Sequence, residues 1–522
     1  MFYQNISIKK MKRRSFITKS ASVGLLVGTT WSYGQDKIPP HNWDGYDFGP
    51  PPSIKNRLNQ GPFSNYGPGA TAPGADVVMV TTPSNKPVRN FGMGMVTYIC
   101  DEVGPPKVEG ETLRESIEKL AKFPLGDILY IRVDWRDIQK EPKKLDFPEH
   151  WDLTFEMAKK YGKRVAFRIQ LMSPVIEPES MPDFLIGKVP LVKLGTTDEI
   201  GIPGKVHYAP QYDHPEFMKA FKDMDDLLST IYNGHELVEY VDTCMYGFWG
   251  EGHTWPFNGN PFPDYHTAEK TCIEMFEHQI ANWTKTPLVT NTQPDYSNVG
   301  NSEILDRTIR SYNWLRTDTI FIETSQIDAL SNRPPWIGAT IEQGLRTEQV
   351  NNKTAFEGIT RNENIIAHIK DVSPTYYSLW NWHNISFENL LGYYGKHPEP
   401  LDGLAANIGY RIRPSWIWCF EKDGYPGLIL GLVNDGISGV PGALCISIVD
   451  EAGNMVSSGS MDPGYPLPGK VRQASFTFPK DTLWDTLSLK AEIEVKGVKY
   501  AIKWACSQEL ENDGTLRLKR NL

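Results

Sequence analysis

The chain has 522 residues, of which 40% are hydrophobic, 11% aromatic and 22% charged, with a formal net charge of −9. That composition excludes a disordered polar chain and leaves room for two to four domains with sizeable cores. The acidic balance, with no basic block beyond the N-terminus, argues against a nucleic-acid groove.

The N-terminus reads as an address. From Met11, "MKRRSFITKSASVGLLVGTTWSYGQ" carries a cationic region, an apolar run from Ala21 to Val27 and the small residue Gly34 before Gln35. Arg13 and Arg14, followed by Ser15, Phe16 and Ile17, look like a twin-arginine export signal; an ordinary secretory signal that happens to carry two arginines is the alternative. Residues 1–34 are therefore expected to be a cleaved signal peptide, and the mature protein periplasmic or secreted. The apolar run is too short to span a bilayer, and no other membrane-length run follows. Residues 35–87 are rich in Pro, Gly, Asn and Ser, which predicts an extended arm with one strand at "DVVMVTT", free to wrap the domain that follows.

From residue 88 to 405, short apolar runs alternate with helix-length amphipathic segments. The predicted strands are 90–98, 128–135, 164–172, 238–249, 287–293, 315–323, 336–343 and 375–383. Eight such βα units suit a (β/α)8 barrel, with a doubly wound open sheet as the competitor. From 406 to 522 the alternation has period two between Gly, Asn, Asp and Pro turns, as in "GALCISIVDEAGN" and "LSLKAEIEV", which predicts an antiparallel β-sandwich. The six cysteines (Cys100, Cys244, Cys272, Cys419, Cys445, Cys506) form no C-x-x-C pair, which argues against structural zinc and a disulfide framework.

In a barrel the chemistry gathers at the C-terminal strand ends. Glu251, in "YGFWGEGHTW", follows the fourth predicted strand and Glu342 closes the seventh. Two carboxylates so placed can flank a glycosidic bond, one protonating the leaving oxygen and the other attacking the anomeric carbon or activating water. The acid needs a raised pKa, which burial against Trp249 or Trp255 would provide. Glu323 and Glu348 are substitutes for Glu342. Arg132 and Asp134 share one strand face, as do Arg316 and Asp318, and such pairs serve equally as structural ion pairs or as ligands. Trp382, in "YYSLWNWHN", is a candidate stacking platform for a sugar ring, with burial under the barrel helices as the alternative, and Trp249 and Trp255 join it as candidate subsite walls. His253, His266 and His383 match no metal-ligand spacing, and the nucleophile-elbow, P-loop and dinucleotide motifs are lacking, so no metal and no cofactor is expected.

"IRVDWRDIQKEPKKLDFPEHWDLTFEMAKKYGKRVAFRI" and "SPVIEPESMPDFL" resemble clan A glycoside hydrolases, especially the β-galactosidase type of family 42. They also resemble bacterial barrel-plus-β-sandwich proteins of unassigned function. The resemblance implies a retaining mechanism with Glu251 as acid/base, Glu342 as nucleophile and Arg132 as the strand-two arginine orienting the nucleophile. Those enzymes place Asn directly before the acid/base to bond the sugar 2-hydroxyl, whereas this chain has Gly250; Asn291 or His253 is the candidate replacement. The expected partner is a carbohydrate, with galactoside-containing oligo- or polysaccharides first. A non-catalytic carbohydrate-binding protein and an inverting glycosidase on the same barrel are the rivals.

Overall fold

Runs such as "ILYIRVD" and "RVAFRIQ" are buried along their whole or nearly whole length, the pattern of parallel strands covered on both faces. In the computed structural model, which describes residues 52–58, 75–100, 104–105, 108–174, 180–198, 203–257, 259–292, 301–317, 330–345, 369–381, 387–396 and 398–519, these runs close into a barrel. The chain enters through β1 (Ala75–Val80) and then begins the barrel with β2 (Gly94–Tyr98), α1 (Leu113–Ala121), β3 (Ile128–Asp134), α2 (Trp135–Ile138), α3 (Glu149–Lys160) and β4 (Arg164–Gln170). A surface hairpin, β5 (Leu191–Gly195) and β6 (His207–Pro210), precedes α4 (Pro215–Tyr232), β7 (Val238–Asp242), α5 (Tyr265–Asn282), β8 (Leu288–Asn291), α6 (Asn301–Arg310) and β9 (Trp314–Thr317). The last barrel strands, β10 (Ala339–Leu345) and β11 (Tyr376–Asn381), lead to α7 (Phe387–Lys396) and α8 (Pro398–Asn407).

The strand order β2-β3-β4-β7-β8-β9-β10-β11 returns to β2, and every pairing is parallel. The predicted (β/α)8 barrel is thus present, with β7 as its fourth strand and β10 as its seventh. Local chemistry starts the helices where the sequence suggests. Thr112 and Glu115 form a reciprocal capping box at α1, Asp264 accepts from Thr267 N at α5, and Pro215 opens α4. The α4 residues Phe217, Phe221, Met224 and Leu228 bury one face against the barrel core.

The C-terminal region comprises β12 (Ile412–Lys422), β13 (Tyr425–Asn434), β14 (Ala443–Val449), β15 (Met455–Ser460), β16 (Val471–Thr477), β17 (Ser488–Val495), β18 (Val498–Ile502) and β19 (Leu516–Arg517). One antiparallel sheet has the order β1-β12-β13-β16 and the other β15-β14-β17-β18, with β19 on β17. The "DVVMVTT" strand therefore pairs with β12 rather than wrapping the barrel. Arg57 also reaches this region, with Nε and Nη2 on the Asp462 carboxylate at 2.6 and 2.8 Å.

The barrel floor is sealed against this region. Phe91 stacks on Tyr500 at 3.5 Å between ring centroids, and the Arg164 guanidinium lies 4.8 Å from the Phe91 ring. Buried Glu239 accepts from Gly92 N at 2.7 Å and Tyr376 Oη at 2.6 Å and pairs with Arg164. The opposite, C-terminal rim is the end at which the chemistry of such barrels gathers.

The fourth predicted strand is shorter than its sequence run. It stops at Asp242, and the continuation winds through positive φ at Gly247, Trp249, Gly250 and Gly252, conformations that cannot continue a ladder. Glu342 is the fourth residue of β10, with Gln343, Gly344 and Leu345 beyond it in the strand, rather than its last.

Candidate active site

Interior positions of such barrels are usually Val, Ile or Leu. Here the upper interior is charged. Tyr130 and Arg132 on β3, Arg168 on β4, Asp242 on β7, Arg316 on β9 and Glu342 on β10 are each 3% exposed or less. Asp242 Oδ2 is the hub. It accepts from Tyr130 Oη at 2.5 Å and from Arg168 Nε at 3.0 Å, and it pairs with Arg316. Arg168 Nη1 reaches Glu251 Oε1 at 2.6 Å, and Arg316 Nη2 reaches Glu342 Oε2 at 2.9 Å. The two candidate acids thus terminate one buried chain, Glu251–Arg168–Asp242–Arg316–Glu342, of three carboxylates and two guanidiniums.

Such a network is an inefficient way to stabilise a fold. Desolvating each charge costs several kcal/mol, and an apolar core of equal volume often does as well. Its position at the end of the barrel where function resides makes it a candidate for positioning reactive groups.

The loop carrying Glu251 explains why the acid lies between glycines. Gly247 stands at φ +79°, where a Cβ would meet His253 O at 2.0 Å, and Gly250 at φ +76°, where a Cβ would lie 3.3 Å from Arg168 Cδ. Phe248 N donates to His253 O at 2.8 Å and Glu251 N to Phe248 O at 3.0 Å, which folds the carboxylate back over Arg168. A side chain at 250 would press on the Arg168 stem, which would have to give by a few tenths of an ångström to admit it.

Glu251 is 3% exposed, and burial alone would raise its carboxyl, but Arg168, His253 and Arg316 together hold it well below its ordinary value. This is the reverse of the raised pKa expected from packing against tryptophan. His253 Nε2 sits 3.4 Å from Glu251 Oε2 while its Nδ1 faces Trp255 N at 3.3 Å. Trp249 packs near His253, 5.7 Å between ring centroids, and Trp255 is 43% exposed at the surface.

Glu342 accepts from Tyr98 Oη as well as from Arg316. The guanidinium on it is therefore that of Arg316, on the sixth barrel strand. Arg132, expected in that role, lies 5.8 Å over the Tyr98 ring and so flanks the phenol that holds Glu342. Asn291 ends β8, 3% exposed, with neither amide atom bonded to protein. Trp382, Glu323, Glu348, Asp318 and His383 lie outside the described residues.

Sequence reading missed Tyr98, Arg168, Asp242 and Gln170. The signal for three of them was present: "AFRIQL" and "VEYVDT" place a charge or amide at interior strand positions, as "YIRVDW" does. At the rim, Asp134 Oδ1 accepts from Gln170 Nε2 at 2.6 Å and Ser180 Oγ at 2.7 Å. Burial pushes the Asp134 carboxyl up to about 7, with Asp137 adding to the rise and the two hydrogen bonds opposing it.

Among the described residues, one cluster could hold a metal ion: Asp225, Asp226 and His278, on α4 and α5. Its oxygens already accept from Asn282 Nδ2 and Trp283 Nε1 at 2.7 to 2.8 Å, and the cluster belongs to the outer helices. No described helix is long and apolar enough to cross a membrane.

No protein-family model matches the sequence, and no curated protein matches it at a significant level. Among solved structures, the fold is similar to a β-amylase catalytic domain from Paenibacillus polymyxa, at 9% identity over 58% of this chain and 98% of that chain, TM-score 0.39. It is similar to endo-glycoceramidase II from Rhodococcus sp., at 8% identity over 76% of this chain and 99% of that one, TM-score 0.36. A glycoside hydrolase family 5 enzyme from Prevotella bryantii B14 shares 11% identity over 63% of this chain and 99% of its own, TM-score 0.35. At these values the likeness decides nothing about the reaction, which rests on the residues of the rim.

Proposed function

We propose that the chain is a retaining glycoside hydrolase acting on a β-linked glycoside, with galactoside-containing oligo- or polysaccharides as the first substrates to test. The observation that carries this reading is the joining of Glu251, in the loop after strand four, and Glu342, within strand seven, by Arg168, Asp242 and Arg316. Tyr98 and Arg316 orient Glu342 for attack on the anomeric carbon. Glu251 protonates the leaving oxygen and then, ionised, deprotonates the water that releases the sugar. Arg168 favours the ionised form, which serves the second step; the first step needs the proton, so turnover should rise toward acid pH. The leader-like residues 11–34 support an exported location for this activity.

The ion pair between Arg168 and Glu251 favours a second reading, a carbohydrate-binding protein in which Glu251 is a structural anion. Glu251→Gln and Glu342→Gln separate the two. A hydrolase loses turnover of 4-nitrophenyl β-D-galactoside by about 1,000-fold or more at Glu342→Gln while sugar binding persists. A binder shows no turnover in any form, and its affinity changes little with either substitution. Proton NMR of the first-formed anomer distinguishes retention from inversion.

A further inference from the structure

Asp134 is the last residue of β3 and stands at the N-cap of α2, but its side chain makes no capping bond. An aspartate in that place usually accepts from the first N–H groups of the helix. Here Arg136 N donates to Ser180 O at 2.8 Å instead, and the Asp134 carboxyl is spent elsewhere. Lying two residues beyond Arg132, it shares the interior face of the strand. Gln170, the last residue of β4 and two beyond Arg168, is registered directly opposite it. Two neighbouring strand ends thus bring an acid and an amide together at the barrel mouth, each 3% exposed or less.

Gln170 Nε2 and Ser180 Oγ donate to the same oxygen, Asp134 Oδ1, at 2.6 and 2.7 Å. With Oδ1 taken twice, the proton of the neutral acid belongs on Oδ2. Gln170 Oε1 is buried with no protein partner. What remains is one donor and one acceptor, on strands about 5 Å apart. A buried acceptor left unmade is destabilising, so something completes it. A hydroxyl accepts from Oδ2–H and donates to Oε1 at once, whereas a carboxylate or sulfate only accepts. The charged groups nearby are Arg132 on β3 and Asp137 on α2; Arg136 pairs with Asp183, and Arg168 on β4 is held by Asp242 and Glu251. Burial outweighs Arg132 and the two hydrogen bonds, and the acid keeps its proton up to about pH 7.

We propose that the Asp134 carboxyl and Gln170 Oε1 together hold a neutral hydroxyl of the sugar, at a subsite apart from the two acids. This rests on the carbohydrate reading above, whether the chain hydrolyses the sugar or only binds it. Once Asp134 ionises, the site holds acceptors alone and the hydroxyl loses its donor. Neither group bonds Glu251 or Glu342, so the contact acts on KM more than on kcat.

The test uses the full chain, as wild type, Asp134→Asn, Asp134→Ala and Gln170→Met, with calorimetric binding of lactose and KM for 4-nitrophenyl β-D-galactoside at pH 5.5 and pH 8.5. Wild-type affinity should fall by about 10-fold or more at pH 8.5, where the ionised acid is in roughly 30-fold excess. Asn supplies a donor at either pH, so Asp134→Asn should bind equally at both. Asp134→Ala and Gln170→Met should each lose about 10-fold in affinity at pH 5.5, with the loss in KM rather than kcat. A purely structural Asp134 would alter the melting temperature of Asp134→Asn and leave the pH dependence of binding as in wild type, which overturns the proposal. Affinity unchanged in Gln170→Met also overturns it, since the pair would then be closed on itself or filled by a water. Turnover that persists beside either result leaves the hydrolase reading standing without this subsite. Binding of lactose without turnover removes the hydrolase reading and leaves the subsite to the calorimetric comparison, and no binding in wild type at either pH overturns both.

Discussion

Arg168→Met removes the guanidinium that faces Glu251 and leaves a side chain of similar length. Arg168, Glu251 and Asp242 side chains are 1 to 2% exposed, so water cannot replace the lost partner. Asp242 retains Tyr130 and Arg316, whereas Glu251 retains His253 at 3.4 Å. Breaking one side of a buried pair costs about 3–5 kcal/mol, and most of that should fall on Glu251.

The pH dependence should reverse in sign. In the wild type the Glu251 carboxyl titrates below its ordinary value of 4.5 in the folded protein, so its contribution is present above that pH and is lost as pH falls toward the folded value. Without Arg168, burial should lift the folded value above 4.5, and the contribution is lost as pH rises instead. Urea unfolding of both proteins at pH 5 and pH 8 reads this directly. The expected deficit is about 3–5 kcal/mol at pH 8, smaller by about 1 kcal/mol or more at pH 5, and largely relieved in Arg168→Met/Glu251→Gln. A deficit under about 1 kcal/mol at pH 8, or one indifferent to both pH and Glu251→Gln, would refute the buried-chain account.

Two further predictions concern the rim. The Asp134 carboxyl, raised by burial from 3.8 to about 7, stabilises the fold fully below pH 3.8 and loses that contribution as pH rises through 7, a span worth about 4 kcal/mol. Asp134→Asn should therefore match wild type near pH 4 and exceed it in melting temperature at pH 8; a parallel pair of pH profiles would contradict this. Gly247 and Gly187 share nearly the same φ, +79° and +78°, but a Cβ at Gly247 would meet His253 O at 2.0 Å whereas Gly187 has nothing within 4 Å. Gly247→Ala should cost about 1–3 kcal/mol more than Gly187→Ala in chemical denaturation, and equal costs would show that conformation alone governs the loop.

Local pattern was enough for the architecture. The alternation of apolar runs with amphipathic helices marked eight parallel strands, and the period-two texture after residue 406 marked the two antiparallel sheets, because strand and helix periodicities act over a few residues. The tight turn around Glu251 was also legible, in the glycines that flank it. The chain from Glu251 to Glu342 was not. Period two places Arg132, Arg168, Asp242 and Arg316 on interior faces, but which of them meet depends on the stagger between strands around a closed barrel. That stagger puts Arg316, and not Arg132, on Glu342. The charge state of Glu251 was equally out of reach: burial raises its carboxyl, and Arg168, His253 and Arg316 together outweigh burial because closure of the barrel gathers them there, Arg168 from 83 positions away in sequence to 2.6 Å.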